Sequence, residues 1–281
     1  MSSVRHCPYC VVVSARSGDA PNHRPLSTKM LDMESKLVST RTRTLVRIPV
    51  LAGALLVTLV VMARPAEAAA ASIYPTRTIG YDVSWPDCTA TPPAHPTFGI
   101  VGVSDGTGYS QNPCLAQEAA WFPNVSLYVN TGWYDQSVHI NASSPKQCAS
   151  GDSNCLAYNY GYNAGLYAVS YASSQNIQAT TWWLDVETGN TWNADTTQNR
   201  NSLQGEYDAL VANGATTVGA YSTTAQWNSI TGTWHNNWPN WGATTVRTAS
   251  QASRYCTGHR FTGGPTYLIQ FSGTLDHDYA C

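Results

Sequence analysis

The run Thr181-Trp182-Trp183-Leu184-Asp185-Val186-Glu187 ends in two carboxylates two residues apart. In an extended strand, positions i and i+2 project to one face, so Asp185 and Glu187 share a side. Acids that close raise at least one pKa, so one group can hold a proton near neutral pH while its neighbour is ionised. Cleavage of a glycosidic bond needs that division: a proton for the leaving oxygen and an anion for the developing cation. The plainer reading is an exposed D-x-E that ends a strand and caps the next helix. The apolar and aromatic lead-in argues instead for a buried central strand, where carboxylates without basic partners are costly.

The elements that would position such a pair are legible as alternation. Extended runs fall at Thr78–Ser84, Phe98–Ser104, Val125–Asn130, Thr180–Glu187, Thr216–Ser222 and Thr266–Ser272, with a weaker one at Trp241–Val246. Several are continuously apolar, as parallel strands buried on both faces are. Helical spacing recurs between them, at Pro113–Trp121, Ala157–Gln175, Asn199–Ala212 and Thr223–Ile230. Strand and helix in alternation predict a parallel α/β fold. In a barrel of this kind, functional groups gather where strands end. Asp82, Asp105, Asp185, Glu187, Asp276 and Asp278 all fall at or just after an extended run.

Sugar rings stack their apolar faces on aromatic side chains. Tyr109, Tyr221 and Trp227 lie near expected strand ends and are candidate substrate contacts, as are Trp85, Trp133, Tyr134 and Trp192. Trp234, Trp238 and Trp241 form a second aromatic group in Gly232–Gly242, a candidate cleft wall. Filling the interface between barrel and helices is an equally good use for any one of these tryptophans. No histidine or cysteine spacing suits a metal, and no Gly-x-Ser-x-Gly elbow or phosphate loop is present, so no metal or cofactor is expected.

The chain has 281 residues, of which 43% are hydrophobic and 11% charged, with a net charge of −2. No basic face is available for phosphates, so a nucleic-acid partner is not expected. The charge is unevenly spread: residues 1–71 hold nine Lys/Arg and four acids, and the remainder holds six and thirteen. Arg41-Thr-Arg43-Thr-Leu-Val-Arg47, the apolar run Ile48–Met62 and the alanine-rich stretch after Pro65 have the layout of a secretory signal peptide. The apolar run is fifteen residues, shorter than the ~18 to 20 of a spanning helix, so no stable membrane anchor is expected. Met30 and Met33 are alternative starts. Residues 72–281 then form one secreted domain, expected to be a monomer. Cys7 and Cys10 lie upstream; Cys88, Cys114, Cys148, Cys155, Cys256 and Cys281 remain, an even set that in an exported chain reads as three disulfides. Fifteen pairings are open; closeness in sequence favours Cys88–Cys114, Cys148–Cys155 and Cys256–Cys281.

Four motifs in order carry a resemblance to glycoside hydrolase family 25, the secreted lysozymes. They are Gly80-Tyr-Asp82-Val-Ser84, Asp105-Gly-Thr-Gly-Tyr109, Leu184-Asp185-Val-Glu187, and Gln270-Phe-Ser272 with Leu275-Asp276-His-Asp278. The resemblance implies a single modified TIM-type (β/α) barrel with irregular last strands. It implies cleavage of β-1,4 bonds in peptidoglycan, with Glu187 as general acid/base and Asp185 orienting the substrate's N-acetyl group. Asp82 and Asp276 would be supporting acids in the same pocket, with Asp105 at the second strand's end. The chain departs from the family at Asp105, where Glu is usual, at Trp85-Pro86-Asp87-Cys88, and at Asp278, where Asn is usual. These departures fit a divergent, actinobacterial-type branch. Family 18 chitinases carry further aspartates before their D-x-E, but Thr180 and Trp183 stand at those places here. A non-catalytic wall-glycan binding module on the same barrel is the alternative, and a structural or interaction protein a third.

Overall fold

The computed structural model describes residues 73–281; the expected signal segment and Cys7 and Cys10 lie outside them. Eight strands close into a barrel in chain order. They are β1 (Ile79–Val83), β2 (Gly99–Gly102), β3 (Val125–Asn130), β4 (Thr181–Asp185), β5 (Thr217–Ser222), β6 (Asn240–Ala243), β7 (Thr266–Phe271) and β8 (Asp276–Ala280). Strands β1 to β7 run parallel, and β8 is antiparallel to both β7 and β1. Five helices lie between strands: α1 (Leu115–Ala119), α2 (Ser153–Ser174), α3 (Thr196–Ala212), α4 (Thr224–Thr231) and α5 (Ala249–Ala252). The expected barrel is present, and its irregularity does lie in the last strands: the β6–β7 register shifts at Asn240/Trp241, and β8 reverses direction.

The apolar runs bury both faces. Every residue of β2 and β4 is buried. Trp182 and Leu184 point outward to pack with Leu203 and Leu210 of α3, while Trp183 points inward with Ile100, Trp241 and Leu268. Room for the Trp183 indole comes from Gly219 on β5, where a methyl group would collide with the ring. This plug closes the barrel from below, so the next inward position on β4, Asp185, sits at the floor of an open mouth.

Side-chain caps set the helix starts. Asp152 accepts from the Cys155 backbone N–H, Asp195 from Thr197, and Thr223 from Gln226. The disulfides are Cys88–Cys114, Cys148–Cys155 and Cys256–Cys281, the pairing that sequence closeness favours. The segment expected to follow the last strand is itself β8, so Asp276 and Asp278 are strand residues and not loop acids. No described helix is long and apolar enough to cross a membrane.

Candidate active site

A cavity of about 510 Å³ opens at the C-terminal ends of the parallel strands, lined by Asp82, Asp185, Glu187, Tyr221 and Asp276 among others. Five of the expected residues are therefore brought together. Asp185 ends β4 at 4% exposure. Its Oδ2 accepts from Asn130 Nδ2 at 2.5 Å and, more weakly, from Asn190 Nδ2 at 3.5 Å, while Oδ1 has no hydrogen-bond partner. Burial, then the charge of Glu187, pushes the Asp185 carboxyl up to about 8 against the opposing pull of the two amides. At neutral pH it therefore holds a proton.

Glu187, two residues further on, is half-buried. Its Oε1 accepts from Gln226 Nε2 at 3.2 Å. Gln226 is itself fixed from the other side, accepting the Thr188 backbone N–H at 2.6 Å and the Thr188 hydroxyl at 2.9 Å. The Trp192 indole N–H donates to the Glu187 carbonyl at 2.7 Å and pins the backbone.

On the opposite wall, Gln270 Nε2 donates to both Asp82 oxygens at 3.1 Å, and Gln270 Oε1 accepts the Tyr221 hydroxyl at 2.7 Å. Beneath them Asp278 is fully buried, its Oδ1 accepting from Trp241 Nε1 at 2.6 Å. Asp278 Oδ2 is buried without a hydrogen-bond partner, and the nearby Asp82 charge opposes its ionisation. Burial raises both carboxyls first of all; the Asp276 charge then raises Asp82 further, and the Asp82 charge raises Asp278 further.

Three expected contacts lie elsewhere. Asp105 is exposed and does not line the cavity; the turn it begins exposes Gly106 there instead. Tyr109, held at φ +60°, turns its ring away to stack on His139, and its hydroxyl donates to the Tyr160 carbonyl. Trp227 is fully buried on α4, donating to the Trp234 carbonyl and packed among Trp234, Trp238 and Phe261. Of the second aromatic group, only Trp241 reaches the cavity. Sequence reasoning did not single out the carboxamides Asn130, Asn190, Gln226 and Gln270 as site residues, although each donates to an acid of the site. Gln270 had a signal, because it stands in a quoted motif; lone amides elsewhere carry none.

Among the described residues no cluster of His, Cys, Asp or Glu could hold a metal ion. Asp82, Asp185, Asp276 and Asp278 are all raised, first of all by burial, so the site gathers carboxyls that hold protons more tightly than free ones, which suits proton transfer to and from a bound ligand.

The profile of the lysozyme-like protein 1 family matches residues 100–254. Solved structures of similar backbone include the modular autolysin LytC from Streptococcus pneumoniae, at 13% identity over 71% of this chain and 46% of that one, with a TM-score of 0.47. This chain thus spans less than half of LytC. GHIP, a glycosyl hydrolase 25 of Streptococcus pneumoniae, is similar at 16% identity, 73% and 87% coverage and a TM-score of 0.44. The lysozyme from Streptomyces coelicolor gives 18%, 73%, 92% and 0.40. No curated protein sequence matches the chain.

Proposed function

The chain belongs to the lysozyme-like protein 1 family, and from that premise we propose that it is a glycoside hydrolase of the lysozyme kind that cleaves β-1,4 bonds of peptidoglycan with Glu187 and Asp185 as its reacting carboxyls. The observation that carries this reading is their shared position: both line one cavity from the end of β4, one buried and unpaired at Oδ1, the other half-buried.

Glu187 gives its proton to the glycosidic oxygen as the bond to the anomeric carbon breaks. Asp185 hydrogen-bonds the N–H of the 2-acetamido group, whose carbonyl oxygen closes on the anomeric carbon in place of an enzyme nucleophile. Glu187, now a carboxylate, takes a proton from the water that opens this ring and is restored to the acid form. Asp82 and Asp276 support the site from β1 and β8. Residues 1–71 serve as the export signal, in keeping with the three disulfides of the domain.

The test is reducing-end release from purified peptidoglycan by the protein and by Glu187→Gln. Loss of a proton donor is expected to lower turnover about 10²- to 10⁴-fold. Release that persists in the variant moves the acid to another residue. No release by folded, disulfide-bonded protein overturns the reading.

A further inference from the structure

The cavity is lined by five acidic side chains, those of Asp82, Asp87, Asp185, Glu187 and Asp276, and by no Lys or Arg. Its deep donors are already committed. Asn130 gives its N–H to Asp185, Gln270 to Asp82, Trp241 to Asp278, and the Tyr221 hydroxyl goes to Gln270. Oδ1 of Asp185, a residue that lines this cavity, is buried without a partner. With acids and no base in the lining, a positive charge on the ligand is favoured over a negative one.

One rim adds an aromatic platform. Trp85 is 46% exposed at the start of the short turn Trp85–Asp87. Asp87 in that turn is fixed by accepting the Ser84 backbone N–H at 3.0 Å. Asp276, exposed at the start of β8, stands in register opposite Asp82 and lines the same cavity. An exposed indole face beside two carboxylates fits a sugar ring that carries an ammonium group, which supplies three donors and one charge.

We propose that Trp85, Asp87 and Asp276 form a subsite for an amino sugar with a free ammonium, so that the substrate is a partly de-N-acetylated β-1,4-linked glycan. The acetylated unit sits at Asp185 and Glu187, and the neighbouring unit presents its amine to the rim. This rests on the hydrolytic reading above.

The experiment divides one peptidoglycan preparation into a partly de-N-acetylated and a fully re-N-acetylated half and compares initial rates of reducing-end release. Binding of glucosamine oligomers and N-acetylglucosamine oligomers to Glu187→Gln is measured alongside by calorimetry at low and high salt. The de-N-acetylated half is expected to be cut about three- to ten-fold faster, the size of one or two exposed ion pairs. That ratio should fall towards one in Asp276→Asn, and glucosamine-oligomer binding should weaken with salt. Equal or slower cleavage of the de-N-acetylated half, or a ratio unchanged in Asp276→Asn, overturns the subsite and leaves the hydrolytic reading standing. Salt-sensitive binding of glucosamine oligomers with no cleavage of either half overturns the hydrolytic reading and supports the subsite. Failure of both removes both.

Discussion

Asn130 and Asp185 stand opposite each other in the β3–β4 register, and the Asn130 amide donates to Asp185 Oδ2 at 2.5 Å. Asn130 is held in turn by Ser104, whose hydroxyl donates to Asn130 Oδ1 at 2.9 Å and accepts the Asn130 backbone N–H at 3.0 Å. Strands β3 and β4 and the segment just after β2 thus agree on which Asp185 oxygen is anchored.

Removing that anchor should separate position from presence. Asn130→Ala leaves a buried carboxyl short of its best donor, at a cost of about 1–3 kcal/mol. With Asp185 free to turn, kcat/KM on peptidoglycan is expected to fall about ten- to a hundredfold. Thermal unfolding and initial rates measured together check this; unchanged kcat/KM would show that Asp185 needs no orientation.

The buried acids make stability depend on pH in a fixed direction. Asp185 is pushed up to about 8 and Asp82 up to about 7, with Asp278 and Glu206 also raised by burial. In the unfolded chain these groups titrate near about 4. Between those values the native state holds more protons than the unfolded state, so stability falls as pH rises through that window. Tm is expected to be higher at pH ~5 than at pH ~8, by about 5 °C or more for a domain of this size. Asp185→Asn should flatten part of that slope and raise Tm at the alkaline end. A Tm that rises from pH ~5 to ~8 would contradict the assignment of these carboxyls as protonated.

The barrel was legible because its parallel strands bury both faces and read as apolar runs. Strand β8 was not, because Asp276-His-Asp278-Tyr-Ala280 looks like a polar tail. Its inward positions carry the buried Asp278 carboxyl and the small Ala280, so the pattern of a buried strand is replaced by that of a site. Helix α2 begins four residues before its expected start for a related reason. Its contact with α3 is made by backbone, with Gly205 of α3 so close to the Tyr158 carbonyl of α2 that a methyl group would collide with it, and close backbone approach leaves no apolar periodicity to read. The tyrosines of α2 do serve packing and anchoring, Tyr171 donating to the Asn112 carbonyl and Tyr160 meeting Trp133 edge to face. Trp227 misled for the opposite reason: a strand-end position fits a groove and a helix–barrel interface equally well.

Two aromatic substitutions should therefore behave differently. Trp227→Ala removes a fully buried indole and is expected to cost about 3–5 kcal/mol in stability, with kcat/KM retained at temperatures where the protein is folded. Tyr221→Phe removes only the hydroxyl that holds Gln270 against Asp82, with a stability change of about 1 kcal/mol and a loss of about ten-fold in kcat/KM. Rates and denaturation curves for both variants decide the matter; loss of glycan affinity in folded Trp227→Ala would return Trp227 to the groove.

The Cys256–Cys281 disulfide ties the residue after β8 to the turn after α5, closing a separation of 25 residues. Strand β8 is the closing strand of the barrel and carries both Asp276 and Asp278. Without the bridge the unfolded chain regains loop freedom, so Cys256→Ala with Cys281→Ala is expected to cost about 3 kcal/mol. The loss should be local as well as global. Pairing of β8 with β1 and β7 would fray from the released Ala280 side inward, and amide exchange at Tyr279 and Ala280 should quicken before that of β2 to β5. Because Asp278 is held by Trp241 from β6, its carboxyl would be disturbed only after the end of β8 has opened. Activity is therefore expected to survive at low temperature and to fail several degrees below the wild-type limit. Exchange that quickens uniformly over all strands would show that the bridge acts on the unfolded chain alone.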